Sequence, residues 1–100
     1  MTDELDILRS QIDELDRHIV ALLNERARLG MAAGKAKLAA GQPISDAKRE
    51  REVLVRVAMA NDGPIPQDAL QALYRMLIET IKSLENPNHT ADEPTGSELG

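Results

Sequence analysis

Two cations in this 100-residue chain sit where a packed helix should carry apolar side chains. Arg26 continues a series of leucines and isoleucines, and Lys37 follows it eleven residues later in "RARLGMAAGKAKL". Eleven residues make three helical turns to within about 20°, so both belong to one face, with alpha carbons ~16 Å apart. Gly30, Ala33, Gly34 and Ala36 around them remove volume. A buried, unpaired guanidinium costs several kcal/mol, so something anionic must meet Arg26, and the gap to Lys37 suits a small molecule. Further along, Asp46, Arg49 and Glu50 are spaced i, i+3, i+4 and share a face. Glu85 comes four residues after Ile81 and seven after Ile78, on an apolar stripe. A protonated carboxyl there could donate a hydrogen bond, which an ionised one cannot. Together these groups describe a charged recess that holds an anion by fixed donors and contains no nucleophile.

The elements that carry them follow from the apolar periodicity. Leu5, Leu8, Ile12, Leu15, Ile19 and Leu22 step three and four alternately, a heptad seam whose continuation lands on Arg26, Leu29, Ala33 and Ala36. No proline interrupts before Pro43. One helix is expected from about residue 4 to 39, closing near Gly41. At 1.5 Å per residue it would run about 54 Å, against a radius of gyration near ~13 Å for a compact chain of this length. Its own remaining sixty residues cannot cover such a rod, so a two-fold partner is expected. Ser45 or Asp46 caps a second helix with Val53, Leu54 and Val57 inward, ended by "NDGP" with Gly63 at C′. A third starts near Pro66 or Gln67, carries Leu70, Leu73, Tyr74, Leu77, Ile78, Ile81 and Leu84, and stops at Asn86–Pro87. The fold class is all-α: three helices per chain, the N-terminal one very long, in an intertwined homodimer. Residues 1–87 form the one domain, and 88–100 read as a disordered acidic tail.

Composition narrows the function. Cysteine is absent, and His18 and His89 are too far apart in sequence to suggest a metal pair. No metal site is therefore expected. Residues 1–60 balance ten basic against ten acidic side chains, while 61–100 carry two against seven, giving the net −5. With no basic surplus and one aromatic residue, Tyr74, nucleic-acid binding is a poor reading. No apolar run approaches the ~18 residues that span a bilayer. The acidic start "MTDELD" is unlike a signal peptide, so a cytoplasmic location is expected. Lys35, Lys48, Arg28, Arg51 and Glu52 read as solvated faces.

The segments "LRSQIDELDRHIVALLNERARL", "GKAKL", "GQPISDAKREREVL", "NDGPI" and "LYRMLIETIKSLE" resemble the all-helical (type II) chorismate mutases, over residues 5–85. The resemblance implies a homodimer that converts chorismate to prephenate without a cofactor, in the route to phenylalanine and tyrosine. It implies that Arg26, with Arg9 of the partner chain, clamps the substrate carboxylates and that Arg49 serves the same anionic end. Arg9 lies about 25 Å from Arg26 along its own rod, so only a second copy brings one to the other. The same resemblance gives Lys37 and Glu85 as donors to the ether oxygen, and Glu50, with Asp46, as holder of the substrate hydroxyl. Ile81 falls where many members have serine or threonine contacting a carboxylate, a departure that bears on affinity. Two alternatives share the scaffold: an isochorismate-pyruvate lyase, and a non-catalytic dimerisation module in which Arg26 pairs with Glu25 or Glu50.

Overall fold

A computed structural model describes residues 3–85, and the expected tail from 88 to 100 lies outside them. Among the described residues the chain forms three helices: α1 Glu4–Ala39, α2 Ala47–Ala60 and α3 Gln67–Glu85. The long helix starts where Asp3 caps it, its carboxylate accepting the Asp6 N–H at 2.8 Å. It ends in a Schellman motif at Gly41, which adopts the left-handed φ of +73° that favours glycine. Gly41 N–H donates to Leu38 O at 3.1 Å and Gln42 N–H to Lys37 O at 2.8 Å. Pro43 then prevents further winding.

At the start of α2, Asp46 is the cap, accepting the Arg49 N–H at 3.1 Å. Its C-terminus departs from the expected pattern. The cap is Asn61, with extended backbone, and Gly63 lies one residue beyond C′. Gly63 does take a positive φ of 76°, but its N–H is held by the Asn61 side chain at 2.9 Å, in an Asx-type turn rather than a Schellman closure. Two glutamines of α3 tie the helices together. Gln67 donates to Ala58 O at 2.7 Å and Gln71 to Leu54 O at 3.0 Å.

α3 packs against both α1 and α2, whose backbones do not approach one another. Its apolar stripe points inward at Leu70, Tyr74, Leu77, Ile78, Ile81 and Leu84, all half-buried or better. Leu73 is the exception at 57 % exposed. At 100° per residue it sits on the margin of that stripe rather than along its centre. Ile81, at 2 % exposed, is the single buried apolar residue described. The seam of α1 stays open, from 47 % exposed at Leu8 to 63 % at Leu22, and the radius of gyration is 17.4 Å.

Candidate active site

Because α1 and α2 each rest on α3 without meeting, a space is left between them, and it forms a cavity of about 380 Å³. That is the size of an ordinary small-molecule site. Each wall follows from helical spacing. Along α1, Arg26, Gly30, Ala33 and Lys37 repeat at four, three and four residues and share one face. The first turns of α2 contribute Arg49, Glu50 and Val53, with Asp46 and Ile44 before them. The last turns of α3 contribute Ile78, Ile81, Lys82 and Glu85. Seven of the eight residues expected to form the site therefore line one cavity: Arg26, Lys37, Asp46, Arg49, Glu50, Ile81 and Glu85. Arg9, exposed near the opposite end of α1, does not line it.

Small residues of α1 set how closely α3 can lie. A methyl added at Gly30 would collide with Ile81 Cγ2. One added at Gly34, which is buried, would stand 2.7 Å from Glu85 Cβ and 2.9 Å from its Cγ. Glycine at these two positions lets Ile81 and Glu85 rest on the backbone of α1.

The charged side chains are held by different means. Arg26 makes no ion pair among the described residues. Its guanidinium instead lies 6.0 Å from the centroid of the Tyr74 ring, within cation–π range. Within the described residues of the single chain Arg26 is paired with neither Glu25 nor Glu50. Lys37 donates to Ile44 O at 2.9 Å, which fixes the loop to the end of α1. The same ammonium is 3.7 Å from Glu85 Oε1, an oxygen that is buried and has no hydrogen-bond partner. Glu85 is 11 % exposed and Lys37 24 %. A buried polar atom left unpaired is costly, and one on a cavity wall marks where a ligand atom belongs. Asp46 spends one oxygen on its capping bond, which limits what it can offer a ligand. Arg49 is exposed and lies 3.9 Å from Glu52, a loose contact that lets it turn inward.

Lys82 is a cavity residue that nothing in the sequence announces. It lies one residue past the apolar position Ile81, and its neighbours make it look like any solvated lysine. In the fold its Nζ donates to Glu50 Oε2 at 2.9 Å and lies 3.0 Å from Glu79 Oε2. Its pKa is raised above the ordinary lysine value of 10.5, chiefly by the bond to Glu50 and then by that to Glu79, with burial opposing. Glu50 is thirty-two residues away in sequence, so only tertiary structure reveals the pair.

Among the described residues no group of histidine and carboxylate side chains is arranged to hold a metal ion. No helix there is long and apolar enough to cross a membrane. The cavity therefore presents four cations, Arg26, Lys37, Arg49 and Lys82, against three carboxylates, with apolar walls between. Such a wall suits a small anionic ligand.

Comparison with known proteins agrees with that chemistry. The family model for chorismate mutase type II matches residues 8–86. A bifunctional chorismate mutase/prephenate dehydratase of Aquifex aeolicus is 41% identical over 87 residues, 83% of this chain and 24% of that protein. The chain thus spans about a quarter of that relative's length. An intracellular chorismate mutase of Mycobacterium bovis is 38% identical over 73 residues, 73% of this chain and 68% of that protein. Among solved structures, a chorismate mutase from Thermus thermophilus superposes with a TM-score of 0.80 at 32% identity. That match covers 83% of this chain and 94% of the other.

Proposed function

The chain belongs to the chorismate mutase type II family, and we propose that it catalyses the rearrangement of chorismate to prephenate as a homodimer. The observation that carries the reading is the convergence of Arg26, Lys37, Glu50 and Glu85 on one cavity, with Glu85 Oε1 buried and without a hydrogen-bond partner.

The reaction is a unimolecular pericyclic shift. One C–O bond of the ether breaks while one C–C bond forms, and no proton or electron leaves the substrate. No nucleophile is required. What the protein supplies is restraint and charge. Holding the flexible di-acid in its compact, near-attack shape removes an entropic part of the barrier. Donors aimed at the ether oxygen meet the negative charge that develops as the C–O bond lengthens. Arg26 and Arg49 suit the carboxylates, since a guanidinium binds a planar carboxylate through two parallel bonds. Lys37 and Glu85 approach each other at 3.7 Å and would flank the ether oxygen. Only the part of each contact that strengthens in the transition state speeds the step. Glu50 accepts the substrate hydroxyl, with Asp46 beside it, and Ile81 forms part of the floor.

The eighth residue, Arg9, joins this site only from a second copy. Support for the dimer comes from the open seam of α1 and from the near absence of a core in the single chain. With one buried apolar side chain among the described residues, the single chain has little hydrophobic stabilisation of its own. Assaying the purified protein with chorismate and with isochorismate tests the function. Prephenate from chorismate is the expected product; pyruvate from isochorismate, with chorismate untouched, would instead make the protein a lyase.

A further inference from the structure

Glu50 is placed at the cavity wall by a residue that takes no part in the scheme above. Lys82 reaches from the last turns of α3 to the first turn of α2 and donates to Glu50 through Oε2 alone, at 2.9 Å. Glu79 flanks the same ammonium at 3.0 Å, and Ser45 Oγ lies at 3.5 Å. Neither end of the Lys82–Glu50 pair is freely solvated, the side chains being 24 % and 28 % exposed. Glu50 Oε1 takes no hydrogen bond from the protein among the described residues. A free glutamate at a helix start samples many rotamers, and ordering it costs entropy at the moment a ligand binds. Lys82 meets that cost in advance by fixing one oxygen and leaving the other free of any hydrogen bond within the described residues.

We propose that Lys82 is a positioning residue that sets specificity: it pins Glu50 by Oε2 so that Oε1 is presented to a ligand hydroxyl at one fixed place. The proposal rests on Glu50 being the hydroxyl acceptor in the reading above. It deepens that reading, because chorismate and isochorismate are isomers that differ in where the hydroxyl stands. A fixed acceptor distinguishes such isomers, whereas a mobile one follows the hydroxyl to either position. A site built to bond a hydroxyl also discriminates strongly against an analogue that lacks it. The carboxylates of Glu50 and Glu79 favour the charged ammonium of Lys82, raising its pKa above the ordinary lysine value.

The test uses two bicyclic ether dicarboxylates, one bearing the ring hydroxyl and one lacking it, with binding measured by calorimetry. Lys82→Met should weaken the hydroxylated compound about tenfold, the low end for losing a charge-assisted bond. Binding of the deoxy compound should stay within about twofold. In a Glu50→Gln background the Lys82→Met effect should vanish, and Lys82→Arg should restore most of the wild-type preference. Equal weakening of both compounds would make Lys82 merely structural, and an unchanged preference would leave it without a role; either result overturns the proposal. Turnover of chorismate is followed separately. A wild type that binds the pair but turns over no chorismate would refute the proposed function, while the hydroxyl preference still decides for or against Lys82. Failure of the wild type to bind either compound would overturn both.

Discussion

Gly34 of α1 and Glu85 of α3 are in such close approach that a single methyl group at Gly34 would lie 2.7 Å from Glu85 Cβ. The position of the cavity's most buried carboxyl is therefore set by a missing side chain on the opposite helix. Alanine raises helix propensity by roughly 1 kcal/mol over glycine, but overpacking of this kind costs about 1–3 kcal/mol. Gly34→Ala is expected to leave stability nearly level or slightly lower, and to reduce kcat/KM at least tenfold by displacing Glu85. A kinetic assay beside a thermal melt checks this; full activity with unchanged stability would show that Glu85 does not need its present seat.

Arg26 distinguishes an enzyme from a dimerisation module. It has no ion-pair partner and rests against Tyr74, so its charge is uncompensated within the described chain. Arg26→Ala should abolish most activity while the melting temperature holds or rises, because removing an unpaired cation from a strained site relieves it. A variant that melts much earlier would favour a structural role.

For Lys37 the expected loss falls on the chemical step. Lys37→Met should lower kcat by about 10²–10³, as removal of one donor to a developing oxyanion does elsewhere. KM should change less. The bond from Lys37 to Ile44 O gives the variant a second, smaller effect on the loop between α1 and α2, read by hydrogen exchange there.

A donor role for Glu85 is tested by substitution. Glu85→Gln, whose amide donates, should keep kcat within about tenfold of the wild type, while Glu85→Leu should lower it by about 10²–10³. Equal losses in the two variants would rule the donor role out.

Lys82 makes a prediction about stability. Its pKa is higher in the folded chain than the ordinary 10.5, so the protonated form is favoured by folding. That contribution is complete below the unfolded value and disappears as pH climbs through the folded one. Denaturant melts between neutral and strongly alkaline pH should show a steeper loss for the wild type than for Lys82→Met.

Local rules make the three helices legible. Asp46 caps, Gly41 with Pro43 closes, and the apolar spacing of α3 marks its inner face. The site is legible for a different reason. Arg26 and Lys37 break an apolar pattern, and a family resemblance supplies roles for Glu50 and Glu85. What stays hidden depends on distance in the chain. Lys82 looks like any solvated lysine until α3 lays it beside Glu50. Gly30 and Gly34 look like weak points in a helix, and their use as seats for Ile81 and Glu85 emerges only when α3 is in place. Leu73 sits on the edge of its stripe, where periodicity does not decide between inside and outside. Gly63 has the spacing of a helix-ending glycine, but Asn61 fills that role instead.

All of this chemistry presumes that a second copy completes each cavity with its own Arg9. Mixing two inactive variants, Arg9→Ala and Lys37→Met, and refolding them together tests that presumption most directly. In each hybrid dimer one site receives both substitutions and the other receives neither, so about a quarter of wild-type activity should return. A mixture that stays as inactive as its parents, or a protein that sediments as a single 11.0 kDa chain, would contradict the account.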